Sequence, residues 1–300
     1  MDRLEGIYSA LWTPTNSSGE ILWQELEELL GFVLKGGVQG IMALGSTGEF
    51  VHLTFQQRTE LLERVIRTCK EKGNARVIAN VSDVQHRNVV ALARYAKQAG
   101  ADCAAVLPPW YFPVEQRDLA EFFIQVGRQV DLPLALYNYP EVAGNSISIE
   151  TIRTVAKAVK VVAVKQSGGD FEYHYDLLRV GREMGFEVLT GSDTRLEETL
   201  KMGCAGAISG LANAVPEVFR KIYQNFQLGK SSPEETALVS QIGQRIGPLR
   251  FPLNVKAAIA ARGFQTGEAK MPISNETQEI YGAVVKDLTG LFKSSSLLQA

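Results

Sequence analysis

Val161-Val162-Ala163-Val164-Lys165-Gln166-Ser167 is the stretch on which the fold turns: four apolar residues in a row, three of them β-branched, closing on a lysine. Such a run suits a parallel strand covered on both faces, since a strand with one wet face would alternate. Similar short runs recur at Gly6–Pro14, Gly40–Thr47, Arg76–Ser82, Ala104–Pro109, Leu134–Pro140, Glu187–Asp193 and Gly206–Leu211. Longer stretches with helical spacing lie between them. In Leu61-Leu62-Glu63-Arg64-Val65-Ile66 the apolar and charged residues take opposite sides of a 3.6-residue period. Asn88–Gly100 sets Val89, Ala93 and Ala96 on one face, with Gly100 as a stop. Thr54-Phe55-Gln56-Gln57 has capping-box spacing.

Eight such alternations, over about 210 residues, predict an α/β fold of the closed (β/α)8 type, the TIM barrel. A doubly wound open sheet usually has fewer strands, and no GxGxxG follows the first strand here. From Ala214 the strand pattern stops. Val215–Leu228, Pro233–Ile246 and Ser274–Phe292 read as three helices, with Gly247–Pro252 and Arg262–Pro272 as turns or loops. The expected division is a catalytic barrel over residues 1–225 and a C-terminal helical extension over 226–300. No Gly/Ser-rich linker precedes the extension, so it is expected to pack on the barrel. Ser294-Ser295-Ser296 reads as a frayed tail.

Composition narrows the function. The 300 residues are 45% hydrophobic and 21% charged, ordinary for a globular protein with a large core. Lys+Arg numbers 31 against 33 Asp+Glu, a net charge of -2, so no basic excess exists to hold nucleic acid. No apolar run approaches the roughly 20 residues of a membrane span. Met1-Asp2-Arg3-Leu4-Glu5 carries acidic residues where a signal peptide has a basic region. Cys69, Cys103 and Cys204 are odd in number and lack any CxxC, and His52, His86 and His174 are scattered. The expectation is a cytoplasmic protein with no metal and no cofactor, and with neither nucleic acid nor membrane as a partner.

Active sites of such barrels form at the C-terminal ends of the strands. Lys165 closes a run with no other charge, which points it into the interior. Burial disfavours an ammonium, and a neutral lysine amine is a nucleophile for ketones and aldehydes. The alternative is a lysine that snorkels to solvent or pairs with Asp193, and spacing leaves both open. Tyr137 ends Leu134-Ala135-Leu136, either as a proton relay or as a core tyrosine. Gly45-Ser46-Thr47-Gly48 offers hydroxyls and backbone N–H groups for a carboxylate or phosphate, and equally suits a plain turn. Glu49 reads as structural, and Trp110 as packing or a pocket wall. Gly191-Ser192-Asp193 ends the seventh strand.

Three motifs together resemble the dihydrodipicolinate synthase / N-acetylneuraminate lyase family of pyruvate-dependent Schiff-base aldolases. They are Gly45-Ser46-Thr47-Gly48-Glu49-Phe50 with Leu53-Thr54, Tyr137-Asn138-Tyr139-Pro140 with Gly144, and Val164-Lys165-Gln166-Ser167 with Gly169-Asp170. The similarity runs from Thr13-Pro14 to the C-terminal helices. It implies that Lys165 forms an imine with the 2-oxo group of pyruvate and that Tyr137 shuttles protons over it. It implies that Ser46 and Thr47 bind the pyruvate carboxylate and that Ile208 lines the pocket. Tyr111 matches a tyrosine that enters a neighbouring subunit's site, which implies a homotetramer or homodimer. A protonated imine is a strong electron sink, so such an aldolase needs no metal.

The sequence departs from the family where the second substrate binds. The lysine-pathway synthases usually carry an arginine two residues after the proline of the tyrosine motif, and here Val142 stands there. The sialic-acid lyases usually follow the residue matching Asp193 with a glutamate, and here it is Thr194. Tyr-Asn-Tyr-Pro is similar to 2-keto-3-deoxy-sugar-acid aldolases, and Lys-Gln-Ser-Gly-Gly-Asp to 4-hydroxy-2-oxoglutarate aldolases. Val142, Gly191 and Asp193 complete the candidate substrate-binding set. The expected function is a lyase cleaving or forming a pyruvate adduct of a 2-keto-3-deoxy sugar acid or 4-hydroxy-2-oxo acid, with an aldehyde or 2-oxo acid as the partner substrate. The alternatives are dihydrodipicolinate synthase itself, an N-acetylneuraminate lyase, a non-catalytic sugar-acid-binding regulator and a metal-dependent aldolase.

Overall fold

The computed structural model describes residues 3–73, 75–295 and 297. Eight parallel strands close into a barrel in sequence order: β1 Gly6–Ala10, β2 Gly40–Ala43, β3 Arg76–Asn80, β4 Cys103–Val106, β5 Leu134–Asn138, β6 Val161–Gln166, β7 Glu187–Thr190 and β8 Gly206–Ser209. Closure is made by β1 on β8, with Tyr8 opposite Ile208. Around the barrel run α1 Trp23–Lys35, α2 Phe55–Glu71, α3 His86–Ala99, α4 Gln116–Gln129, the single turn α5 Pro140–Ala143, α6 Ile149–Ala158, α7 Glu172–Met184, α8 Leu196–Met202 and α9 Pro216–Gln227. The strands are buried almost throughout because side chains fill the barrel inside and helices cover it outside.

Local signals act as the sequence suggests. Thr54 and Gln57 form a reciprocal capping box at the start of α2. Gly100 ends α3 in the left-handed conformation at φ 94°, where a Cβ would be strained. Every expected strand, however, runs on past the sheet at its C-terminal end: Gly6–Pro14 shortens to Gly6–Ala10 and Gly40–Thr47 to Gly40–Ala43. Those extra residues belong to the mouth of the barrel, where the chain leaves the ladder to build loops. At that mouth Asn213 clamps the closure. Its amide accepts from Trp12 N–H at 3.0 Å and donates to Ala10 O at 2.7 Å and Gly210 O at 2.8 Å.

The C-terminal part contains α10 Pro233–Ile246, α11 Leu253–Ala261 and α12 Asn275–Ser294. The expected division after residue 225 falls inside the last turn of α9. α11 has no counterpart among the expected helices: Val255, Lys256, Ala257, Ala258 and Ile259 are all buried, so the segment lacks the polar face that marks an amphipathic helix. It packs between α10 and α12 and against the turn Leu211–Asn213 at the barrel mouth. Ser294 is the last residue of α12 and Ser295 its cap, so the expected tail is helical through Ser294; Ser296 lies outside the described residues. Arg262 fastens the extension. Its guanidinium lies 5.0 Å from the Phe32 ring of α1 and 5.9 Å from the Phe292 ring of α12, and donates to Glu217 of α9 at 2.8 Å.

No helix among the described residues is long and apolar enough to cross a membrane. Phe292 is fully buried where α12 meets the rest. Phe292→Ala is expected to cost about 3–5 kcal/mol and to lower the midpoint of one cooperative transition by circular dichroism. A separate early transition of the C-terminal helices would show that they fold apart from the barrel.

Candidate active site

Lys165 sits on β6 directly opposite Tyr137 on β5, and Gln166 is opposite Asn138. Paired residues on parallel strands point to the same side, so Tyr137 and Lys165 enter the interior together. The lysine is 5% exposed, and its Nζ lies 4.0 Å from the centre of the Tyr137 ring and 3.8 Å from Met42 Sδ. It forms no ion pair within 4.0 Å among the described residues. Both alternatives to a buried amine therefore fall away: it neither snorkels outward nor contacts Asp193. The carboxylate of Asp193 is spent on β8 and the loop after it, accepting from Ser209 Oγ at 2.6 Å and Leu211 N–H at 3.3 Å. Burial raises the Asp193 pKa, opposed by those hydrogen bonds and by the Lys165 charge.

Tyr137 is 2% exposed, with its hydroxyl 3.3 Å from Ser46 Oγ. The Tyr139 ring stacks on it at 6.2 Å and is met edge-on by Phe251. Burial pushes the Tyr139 phenol up to about 12, helped by Tyr137, Glu141 and Asp193, so it holds its proton at neutral pH. Behind the pair, Asn138 donates to Gln166 Oε1 at 2.7 Å and accepts from Ile147 N–H at 2.9 Å, which holds the ends of β5 and β6 together.

Ser46 and Thr47 are presented by a tight turn. Gly48 N–H donates to Gly45 O and Glu49 N–H to Ser46 O, both at 3.0 Å. Leu44 and Glu49, on either side, take left-handed φ values of 59° and 55°. Gly48 has to be glycine, because a Cβ there would lie 2.8 Å from Leu11 O. Among the described residues, the N–H groups of Ser46 and Thr47 have no acceptor, so the turn offers two donors beside Tyr137. Glu49 is structural: it pairs at 3.1 Å with Lys270, which also donates to Thr13 O and lies over the Trp12 ring.

Ile208 faces the interior as well. Lys165 is opposite Leu189, and Leu189 is opposite Gly206, two residues before Ile208. Gly191 donates to Gln166 O at 2.7 Å, and a Cβ on it would collide with the Ser167 hydroxyl. Thr47, Asp193 and Gly210 converge, since a Cβ on Gly210 would lie 3.3 Å from Thr47 Oγ1 and 3.5 Å from Asp193 Oδ2. Val142 stands at the rim on α5, 51% exposed. Among the described residues, Tyr111 makes no hydrogen bond or ring contact with the other candidate residues: it is 86% exposed at φ 86°, with Phe112 edge-on to it at 4.8 Å. Trp110 packs edge-on against Phe50.

Sequence reasoning passed over Met42, the Asn138–Gln166 amide pair and Glu141, which accepts from Gly169 N–H at 2.9 Å and steadies the loop after Lys165. Asn138 and Gln166 carry the same signal as Lys165, a polar residue at the close of an apolar strand. Met42 and Glu141 carry none without the register.

The sequence matches the family model described as the dihydrodipicolinate synthetase family over residues 3–291. It is 28% identical to the 4-hydroxy-tetrahydrodipicolinate synthase of Staphylococcus carnosus, covering 97% of this chain and 99% of that one. It is 31% identical to an uncharacterized DapA-like lyase of Halobacterium salinarum, over 86% and 84% of the two chains. Among solved structures, YagE of E. coli K12, a prophage protein of the dihydrodipicolinic acid synthase family in complex with pyruvate, superposes with a TM-score of 0.88 at 26% identity, covering 96% and 98%. Dihydrodipicolinate synthase of Aquifex aeolicus gives 0.87 at 27% identity, with the same coverage. A buried lysine amine at the mouth of a (β/α)8 barrel and a match over nearly its whole length lead to one conclusion: the chain belongs to the dihydrodipicolinate synthetase family, the pyruvate-dependent lyases that work through a Schiff base.

Proposed function

We propose that Lys165 is the imine-forming lysine and that the substrate is a 2-keto-3-deoxy sugar acid or a related 4-hydroxy-2-oxo acid. The observation that carries this reading is the Lys165 amine packed on the Tyr137 ring, with the Ser46 hydroxyl 3.3 Å beyond the phenol. The amine adds to the C2 carbonyl, and loss of water leaves the imine. Cleavage of the C3–C4 bond sends its electron pair into the imine while the proton of the C4 hydroxyl passes to a base, and the aldehyde departs. Protonation of the enamine at C3 and hydrolysis release pyruvate and the free lysine. Tyr137 moves these protons, exchanging with Ser46. The N–H groups of Ser46 and Thr47 hold the carboxylate, Ile208 walls the pyruvate pocket, and Gly191 and Asp193 border the space beyond C3.

The absence of a guanidinium at position 142 supports a polyhydroxylated chain over a second carboxylate at the rim, because a valine makes no bidentate contact. The names of the curated relatives favour a second reading, 4-hydroxy-tetrahydrodipicolinate synthase. Assays with pyruvate and aspartate semialdehyde, set beside cleavage of 2-keto-3-deoxy sugar acids, separate the two. Turnover only of the semialdehyde would overturn our substrate class. Three buried thiols, all free, support a cytoplasmic location.

Borohydride added with pyruvate is expected to leave one reduced adduct on the peptide carrying Lys165 and none on Lys165→Ala, read by mass spectrometry. An adduct persisting in that variant would remove the assignment. Tyr137→Phe is expected to lower kcat by about 10²-fold or more while pyruvate is still trapped; an unchanged kcat would take Tyr137 out of the proton relay. Tyr111 and Phe112 stand free on the surface, which supports a homodimer or homotetramer in which Tyr111 crosses to a second copy. We expect sedimentation to show an oligomer, and Tyr111→Phe to lose turnover with its assembly intact. A fully active monomer would exclude that role.

A further inference from the structure

We infer that Asn80, at the close of β3, is a positioning residue that sets the turn carrying Ser46 and Thr47. Met42 is opposite Ile78, and Met42 points at Lys165, so Ile78 faces the interior and Asn80, two residues on, does too. Asn80 is fully buried and its Nδ2 donates to Leu44 O at 2.6 Å. Leu44 is the residue held at φ 59°, a conformation that costs a leucine and persists only where its surroundings impose it. It lies two positions before Ser46. The carbonyl that Asn80 grips is therefore the one whose direction decides where the Ser46 and Thr47 donors point.

The grip extends further. Ser82 Oγ donates to Asn80 Oδ1 at 2.6 Å and accepts from Leu107 N–H at 2.7 Å, and Ser82 is fully buried. Donors run in one direction, from Leu107 through Ser82 and Asn80 to Leu44 O, linking the exits of β4, β3 and β2. Leu107 opens the loop Pro108-Pro109-Trp110-Tyr111. One buried relay thus fixes both the turn beside Lys165 and the base of the loop that displays Tyr111. Arg58 of α2 braces it from outside, donating to Ser82 O at 2.7 Å and to Asp83 at 3.0 Å. Removing Asn80 leaves the Leu44 carbonyl buried without a donor and the strained turn free to relax.

This role rests on the reading of Lys165 as the lysine that captures pyruvate, so the test measures both. Borohydride trapping is run across a range of pyruvate concentrations on wild type and Asn80→Ala, with thermal unfolding alongside. The expected result is a rise of roughly three- to tenfold in the half-saturating pyruvate concentration, with one adduct per chain still reached at saturation. A loss of folded protein alone would lower the final amplitude and leave half-saturation unmoved. A folded Asn80→Ala protein with wild-type half-saturation overturns the role. If Asn80→Ala does not fold, Asn80→Ser is read by the same criterion, since its hydroxyl ends about where the Asn80 amide carbon sits and falls short of the Leu44 carbonyl that the amide reaches at 2.6 Å. Wild type that gives no adduct at any concentration overturns the Lys165 reading and this role with it. An adduct with unchanged half-saturation overturns this role alone.

Discussion

The site depends on a lysine amine kept inside a parallel barrel without a carboxylate against it. Lys165 rests on the face of Tyr137 and against the thioether of Met42, groups that fill space and offer only weak polar contact. An ion pair would tie the amine to a carboxylate and turn it from a substrate carbonyl. The buried carboxylate of Asp193 is occupied by Ser209 and Leu211. Keeping an amine available thus depends as much on how the neighbouring carboxylate is occupied as on the lysine.

Around that amine the barrel contributes rigidity in two ways. Register places Tyr137 beside Lys165, and since a slip of either strand by one residue would send its member of the pair out of the chamber, their alignment is set by the ladder. The loops need other means, because they lie beyond the regular ladder of the sheet. The turn bearing Ser46 and Thr47 is held by a left-handed leucine, a glycine with no room for a Cβ and an ion pair from Lys270 behind Glu49. The segment after Lys165 is held by the carboxylate of Glu141. These are loops braced from several sides, as a site requires if donors are to point where charge develops.

The C-terminal helices belong to the same arrangement. α11 is buried on nearly every side and packs on the turn that clamps β1 to β8, while Lys270, from the segment between α11 and α12, reaches Glu49 and Thr13. The extension therefore buttresses the mouth of the barrel from outside. Its least polar helix was also the least legible, since periodicity reports a boundary between core and water and α11 has almost none.

The amino-acid sequence alone determined the order of eight strands and their helices, the family through three motifs, and Lys165 as the residue most in need of explanation. These are properties of local pattern: β-branched runs, capping residues, a charge at the close of an apolar strand. Only the tertiary structure decided which polar residues meet. That Met42 lies against Lys165, that Asp193 is committed to β8, that Asn80 grips Leu44, and that Tyr111 is exposed follow from register and loop direction across separate segments. Such contacts are made between strand exits 16 to 123 residues apart, where spacing along the chain carries no distance information.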